Sequence, residues 1–371
     1  MSDLGHVARR LLENVRADRH HPPLAALAAE CDPERFVWRI LPHAARSFSF
    51  CIAVLPRSLA RTLAVAYCYC RMLDTCEDLA PGPAAKEAAL AAFVDRFAHG
   101  AVECEAPLAP PPSLAGAVAH DARDEVYLLL LREAGRVDAF FRTLAPPQRE
   151  VVVRLVRRMG AGMAEAVRTF AAQGNALRDD AQLARYCFAV LGWPLVFAEE
   201  AQRSAMGLPI DLPPERIALA AAVGEAVQLA NVARDLEKDT AQGLHYLPET
   251  ARASAAELPA AIAAGRHRLL RHALARGSAF APFMAGIPSE RFSLARAGGL
   301  LMAQFTLAFW QGTARRLQLP IVAPAERITP LRSIGPLLGS VSSRAGFAAT
   351  LARLEARFAA AARRLAEHDG A

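Results

Sequence analysis

Lysine is almost missing from this sequence. Lys86 and Lys238 are its only lysines, so nearly all of its 43 basic residues are arginine. Arginine grips phosphate oxygens in a bidentate fashion, which would suit a phosphate-bearing ligand, although an Ala/Arg-rich composition also arises from coding bias. The net charge is a modest +6, and the basic residues are spread over many segments without interleaved aromatics. That pattern argues against a nucleic-acid face. Alternating runs of Val, Ile and Thr are scarce, whereas Ala, Leu, Arg and Glu dominate, so the expected fold class is all-α.

Other absences narrow the class further. The seven cysteines are odd in number and lack zinc-site spacing: Cys68 and Cys70 stand two apart and Cys187 is alone. Reduced thiols in the cytoplasm are expected. His43, His245 and the "RHH" at 19–21 show no metal-ligand pattern and read as structural or surface groups. The start lacks the apolar core of a leader. The longest apolar run, "AGGLLMAQFTLAFWQG" at 297–312, is too short and too polar to span a bilayer unaided. It reads as a buried helix, with peripheral contact at the inner face of a membrane left open. No Gly-rich dinucleotide fingerprint is visible, and no linker is long enough to demand a boundary. With 371 residues and 53% hydrophobic content, a single domain over 1–371 is expected, 1–30 being an N-terminal extension and 313–371 a C-terminal helical segment.

Pro and Gly divide the chain into helical blocks. "LAPGPAAK" at 79–86 closes one helix, "CEAPLAPPPSLAG" at 104–116 is the clearest loop, and 124–171 reads as helical apart from a "PP" start at 146. A turn at "QGNALRDD" precedes a further helix, and a long one begins after "MGLPIDLPP" and ends in acids. Three or four more are expected from about 255.

One pattern recurs. Asp74 and Asp78 are four apart, as are Asp235 and Asp239, and on a helix such residues share a face about one turn apart. Each pair sits in an otherwise apolar run, "LAVAYCYCRML" before the first and "GEAVQLANVA" before the second. A lone Asp-x-x-x-Asp is usually a solvated helix face. Two pairs in apolar helices need a positive group between their carboxylates, because buried like charges are costly. Mg²⁺ is the natural candidate, since it takes oxygen ligands and bridges carboxylates to substrate phosphates. Asn231 extends the second pair into a stripe at i, i+4 and i+8, and Glu77 joins the first. Arg46, Arg71 and Arg234 could grip phosphate oxygens left free by metal. Ionisation of an allylic diphosphate needs such a site, with apolar walls keeping water from the carbocation.

These motifs resemble the squalene and phytoene synthases, over about residues 44–310. "ARSFSFCIAVLP" is similar to the family's Ser-(Arg/Lys)-Ser-Phe element, with Ala45 in the first serine position and Arg46, Ser47 and Phe48 on diphosphate-contacting and pocket positions. "YCYCRMLDTCED" resembles the first aspartate-rich motif in its squalene synthase form, placing Tyr67 and Arg71 ahead of Asp74, Glu77 and Asp78. "RRMGAGMAEAV", "RYCFAVLG" with Tyr186, and "QLANVARDLEKD" with Gln228, Asn231, Arg234, Asp235 and Asp239 resemble further signatures. Tyr246 follows at the family distance, and "RFSLARAGGLLMAQFTLAFWQG" is like the squalene synthase C-terminal region. Departures fall at "LGWPLV", where Gly192 remains but Leu191, Pro194 and Leu195 replace smaller or more flexible residues, at Leu244 in place of arginine, and at Leu79 in place of another acid.

The resemblance implies a helical bundle around a central apolar cavity, with the acid-bearing helices facing each other near its mouth. It implies Mg²⁺ held by Asp74, Glu77, Asp78, Asn231, Asp235 and Asp239, and diphosphate held by Arg46, Ser47, Arg71, Gln228, Asn231 and Arg234. Tyr67, Arg71 and Tyr186 would be catalytic, and Phe48, Gly192 and Tyr246 would line the pocket. Two farnesyl diphosphates would join through presqualene diphosphate. NADPH would then give squalene, and without hydride the product would be dehydrosqualene or hydroxysqualene, with phytoene a further family product. NADPH rests on the resemblance alone, and Arg327 and Arg332 in the Pro-rich connector could bind its phosphates. A class I terpene cyclase shares the i, i+4, i+8 spacing but would not need Arg46 or the Tyr67 and Arg71 element. A helical scaffold would have no reason to keep repelling charges in apolar helices.

Overall fold

The computed structural model describes residues 3–98, 107–114, 116–290, 293–320 and 330–370. These are helical nearly throughout; among them the only strand-like feature is an isolated bridge between Ala176 and His245. Contacts group into two units, one of Met1–Arg168 with Phe197–Asp211, the other of Thr169–Val196 with Leu212–Ala371.

The first unit is built from α1 (Asp3–Arg16), α2 (Leu24–Ala28), α3 (Pro33–Ala45), α4 (Ser47–Ala53), α5 (Arg57–Leu79), α6 (Gly82–Asp95), α7 (Ala122–Arg132), α8 (Ala134–Arg142) and most of α9 (Pro146–Ala172). Asp32 starts α3, its carboxylate accepting from the Arg35 N–H at 2.7 Å with Pro33 preset for the first turn. α5 begins after Pro56 and buries Leu59, Ala64, Val65, Cys68, Tyr69, Met72, Leu73 and Cys76. This broad apolar surface leaves Tyr67, Arg71, Asp74 and Asp78, spaced by four, three and four, along the one more accessible stripe. Behind the stripe, the Tyr69 hydroxyl donates to Asp138 at 2.9 Å and Arg96 donates to the same carboxylate at 2.5 Å, amid Phe93, Phe97 and Phe141. Gly160 lets α9 close on α5 and α6: a Cβ there would lie 2.3 Å from Val94 Cγ2 and 3.4 Å from Leu73 Cδ2. The helical run read from 124 is broken at Glu133, whose φ of −94° and ψ of 19° leave the helical region just before the weak helix former Gly135.

The second unit centres on α12 (Pro214–Ala241). Against it pack α10 (Asp180–Cys187), a π-turn at Phe188–Gly192, α13 (Pro248–Arg252), α14 (Leu258–Arg276), α15 (Phe280–Gly286), α16 (Ala295–Arg316), α17 (Pro330–Ser342) and α18 (Arg344–Asp369), directly or through each other. The π-turn runs on into α11 (Trp193–Ala205), whose residues from Phe197 onward belong to the first unit. The π-turn explains the unusual "LGWPLV" run. Pro194 has no N–H to bond the carbonyl four residues back, and its ring crowds that carbonyl, so the preceding turn widens. Gly192 and Gly224 bring the turn and α12 to backbone contact, since a Cβ at 224 would lie 2.8 Å from Gly192 Cα. Trp310 of α16 is fully buried and donates to the Ala226 carbonyl at 3.3 Å, which bears out the buried-helix reading of 297–312. Five helices rather than three or four follow residue 255 among the described residues. The extra break comes at Gly277, where any Cβ would meet the Phe358 ring at 2.3 Å.

Two stretches, Asp180–Ala205 and Pro214–Ala241, are apolar and long enough to cross a membrane by composition, although neither is one uninterrupted apolar run. Scattered alanines raise their mean hydropathy, and about half of each apolar window, 50% and 56%, is buried inside the protein. Interior packing accounts for both.

Candidate active site

In the first unit, α3 ends and α4 begins at Arg46, a non-glycine residue at φ 50° and ψ −113°. Such backbone costs on the order of 1–3 kcal/mol and persists where surrounding structure enforces it. Ser49 Oγ donates to the Arg46 carbonyl at 2.5 Å and holds the junction. Two residues after Arg46, Phe48 meets the ring of Tyr67, centroids 6.2 Å apart. Tyr67 in turn accepts from Arg71 Nη2 at 3.2 Å, and Arg71 Nη1 pairs with Asp74 Oδ2 at 3.1 Å. The elements around Arg46 and Asp74, distant in sequence, are thus joined by one line of contacts.

Tyr127 of α7 completes this group, with the Arg71 guanidinium 4.6 Å from its ring centroid. No spacing or motif singled out Tyr127; only tertiary contact reveals it. Burial works against the Arg71 charge, but Tyr67, Asp74 and Tyr127 outweigh it and hold the guanidinium protonated. Arg71 Nε remains buried without a partner. Asp74 is about a fifth exposed, yet burial pushes its carboxyl up to about 6; Arg71 opposes the shift and Asp78 adds to it. Glu77 is pushed up strongly by burial and then by Asp78 and Asp74, with Lys86 opposing.

In the second unit, Gln228, Asn231, Asp235 and Asp239 form a stripe along α12, from buried at Gln228 to half-buried at the other three. Asn231 donates to Gln228 at 2.9 Å, and Arg234 donates to Asn231 at 3.1 Å and to both oxygens of Asp235 at 3.0 and 2.5 Å. Beyond α12, Gly243 at φ 77° turns the chain, and the bridge between residues 176 and 245 sets Tyr246 in place. Its hydroxyl lies 3.1 Å from that of Tyr186, and both rings pack edge-on against Phe170. Both tyrosines are buried, and Gly192 sits in the adjoining π-turn.

These donors fit Mg²⁺ in type, being carboxylate and amide oxygens. No three His, Cys, Asp or Glu groups converge as a ready cage among the described residues, and Mg²⁺ ordinarily takes only one or two carboxylates, with waters and substrate phosphates filling its octahedron. Arg327 lies outside the described residues, as does the side chain of Arg332, so the candidate NADPH contacts have no structural counterpart here.

A helical chain with two such acid stripes, each flanked by arginine, has the makeup of an isoprenoid synthase. A sequence model described as squalene/phytoene synthase matches residues 41–308, and the protein belongs to that family. It is 29% identical over 205 residues to squalene synthase LSS of Botryococcus braunii, a stretch that covers 55% of this chain but only 39% of that relative. Two solved structures share the fold. TcSQS in complex with ligand E5700 matches with a TM-score of 0.61 at 16% identity, and its complex with BPH1237 with 0.62 at 17%; each comparison covers 91% of this chain and 99% of the other.

Proposed function

We propose that the protein joins two farnesyl diphosphates head to head through presqualene diphosphate, releasing diphosphate, and forms squalene when NADPH supplies hydride. The observation that carries this reading is the contact line Phe48, Tyr67, Arg71, Asp74, which ties the Arg46 element to the first acid pair. A cyclase acting on one substrate has no need of that element.

Asp74, Glu77, Asp78, Asn231, Asp235 and Asp239 would hold Mg²⁺, which when bound neutralises the leaving diphosphate. Arg46, Ser47, Arg71, Gln228, Asn231 and Arg234 orient the diphosphates by charge-assisted hydrogen bonds. Cleavage of the first C1–O bond leaves its electron pair with diphosphate and an allylic cation at C1. The double bond of the second molecule attacks that carbon, and loss of a proton from it closes the cyclopropane. Tyr67 and Tyr186 are the candidates to take up that proton, and the Tyr186–Tyr246 hydroxyl pair offers a path onward. Loss of the second diphosphate and rearrangement leave a cation that hydride converts to squalene; proton loss gives dehydrosqualene and water gives hydroxysqualene. Phe48, Gly192 and Tyr246 wall the chain from solvent.

The test is incubation with farnesyl diphosphate and Mg²⁺, with and without NADPH, and identification of the product by mass spectrometry. A cyclised C15 product would overturn the head-to-head reading. Asp74→Ala and Asp235→Ala should each abolish diphosphate release; wild-type turnover in both would remove the metal site.

A further inference from the structure

The N-terminal segment lies outside the residues matched to the family, yet it delivers a cation to the Arg46 element. After α1 the chain turns at Asp18, whose Oδ1 accepts from the N–H groups of His20 and His21 at 2.9 and 3.1 Å. This turn lays Arg19 on α4, its guanidinium carbon 5.1 Å from the Phe50 ring centroid. Phe50 is four residues after Arg46, so Arg19 packs on α4 about one turn along from the Arg46 junction.

The electrostatics of this corner are unbalanced. Arg19 Nη2 is shut off from solvent with no hydrogen-bond partner, and Nη1 reaches the Ala17 carbonyl only at 3.5 Å. Arg46 stands near enough to depress the Arg19 pKa, after burial the largest influence on it. His43, 8% exposed, also keeps an orphaned Nδ1, and burial followed by Arg19 holds it neutral against Asp18. Neither arginine has a carboxylate partner among the described residues. A guanidinium nitrogen shut off from water without an acceptor is costly, and a second cation beside it adds to the cost. An anion with several oxygens would satisfy both arginines at once.

We propose that Arg19 is a second arginine of the diphosphate site, binding the same diphosphate group as Arg46. This rests on the diphosphate role given above to Arg46. The N-terminal segment then forms part of the substrate site, clamped over α4 by the group it binds.

The test is calorimetric titration of the full-length protein with inorganic pyrophosphate, with and without Mg²⁺, and in parallel with farnesol, which lacks the charge. Arg19→Gln should weaken pyrophosphate about tenfold or more and leave farnesol unchanged. Arg19→Lys, which keeps the charge but not the fork, should recover part of the loss. Arg46→Gln should weaken pyrophosphate as well, and the double variant should lose less than the sum, because both side chains share one ligand. Wild-type pyrophosphate affinity in Arg19→Gln, with Arg46→Gln impaired, overturns the proposal and leaves the diphosphate site standing. Unchanged affinity in both variants removes the site as well. Equal weakening of farnesol and pyrophosphate shows packing on Phe50 instead and also overturns it. Should Arg19→Gln not fold, Arg19→Lys carries the test, and wild-type pyrophosphate affinity there is the overturning result.

Discussion

Arg234 spans the carboxylate of Asp235, its Nε donating to Oδ1 at 3.0 Å and its Nη2 to Oδ2 at 2.5 Å. These are the oxygens a metal would need, so under the proposed function the arginine and Mg²⁺ would compete for Asp235 until a diphosphate drew the guanidinium away. An ion pair this accessible is worth about 0.2–1 kcal/mol. Arg234→Gln should therefore tighten Mg²⁺ by up to about 5-fold in the absence of diphosphate and weaken pyrophosphate in its presence. Calorimetric titration of each ligand checks both signs, and weaker Mg²⁺ binding in the variant alone would show that Arg234 supports the site instead of guarding it.

Asp74 makes stability depend on pH. Its folded pKa of about 6 lies above the ordinary carboxylate value because burial disfavours the charge. The stability it contributes is thus fully present below pH about 4 and is lost as pH rises through about 6. A rise of that size corresponds to on the order of 3 kcal/mol. Urea midpoints from pH 4 to 7 in EDTA should fall across this window for the wild type and fall less for Asp74→Asn, the remaining slope coming from Glu77. Parallel profiles would mean that Asp74 is solvated.

Two helical glycines should respond oppositely to the same change. A methyl at residue 224 would press on Gly192 backbone at 2.8 Å, whereas one at residue 299 would meet only the flexible Met284 Sδ at 3.3 Å. Gly224→Ala should cost about 1–3 kcal/mol by forcing the π-turn from α12. Gly299→Ala should be neutral or stabilising by up to about 1 kcal/mol, through its higher helix propensity. Chemical denaturation of both variants decides it; similar losses would mean that the Gly192 contact is not tight.

The helical class, the two acid stripes and the buried helix after 295 were legible because each depends on spacing within one segment. The division at Gly277 was not, since it answers to Phe358, a partner distant in sequence. The break at Glu133 and the π-turn before Pro194 have local causes in Gly135 and Pro194, which the surrounding helical pattern outweighed. The same holds within the site. Asp74 and Arg71 could be named from their motif, but Tyr127 beneath Arg71 and Arg19 beside Arg46 could not. Arg19 stood in a "RHH" run that read as surface, and only its placement on Phe50 gives it meaning.

Arg46 should show a trade between stability and activity. Its φ of 50° and ψ of −113° suit glycine far better than arginine, and its side chain is exposed. Arg46→Gly should relieve the backbone, whereas Arg46→Ala keeps the strain; both remove the charge that repels Arg19, so their difference isolates the backbone. That difference should be about 1 kcal/mol in favour of glycine by urea denaturation. Both variants should nevertheless lose turnover on farnesyl diphosphate to a similar, large extent, because both lose the guanidinium to which the proposed function gives the diphosphate. Equal stabilities would mean that the junction is not strained. Retained activity in the glycine variant would mean that Arg46 serves the turn and not the substrate.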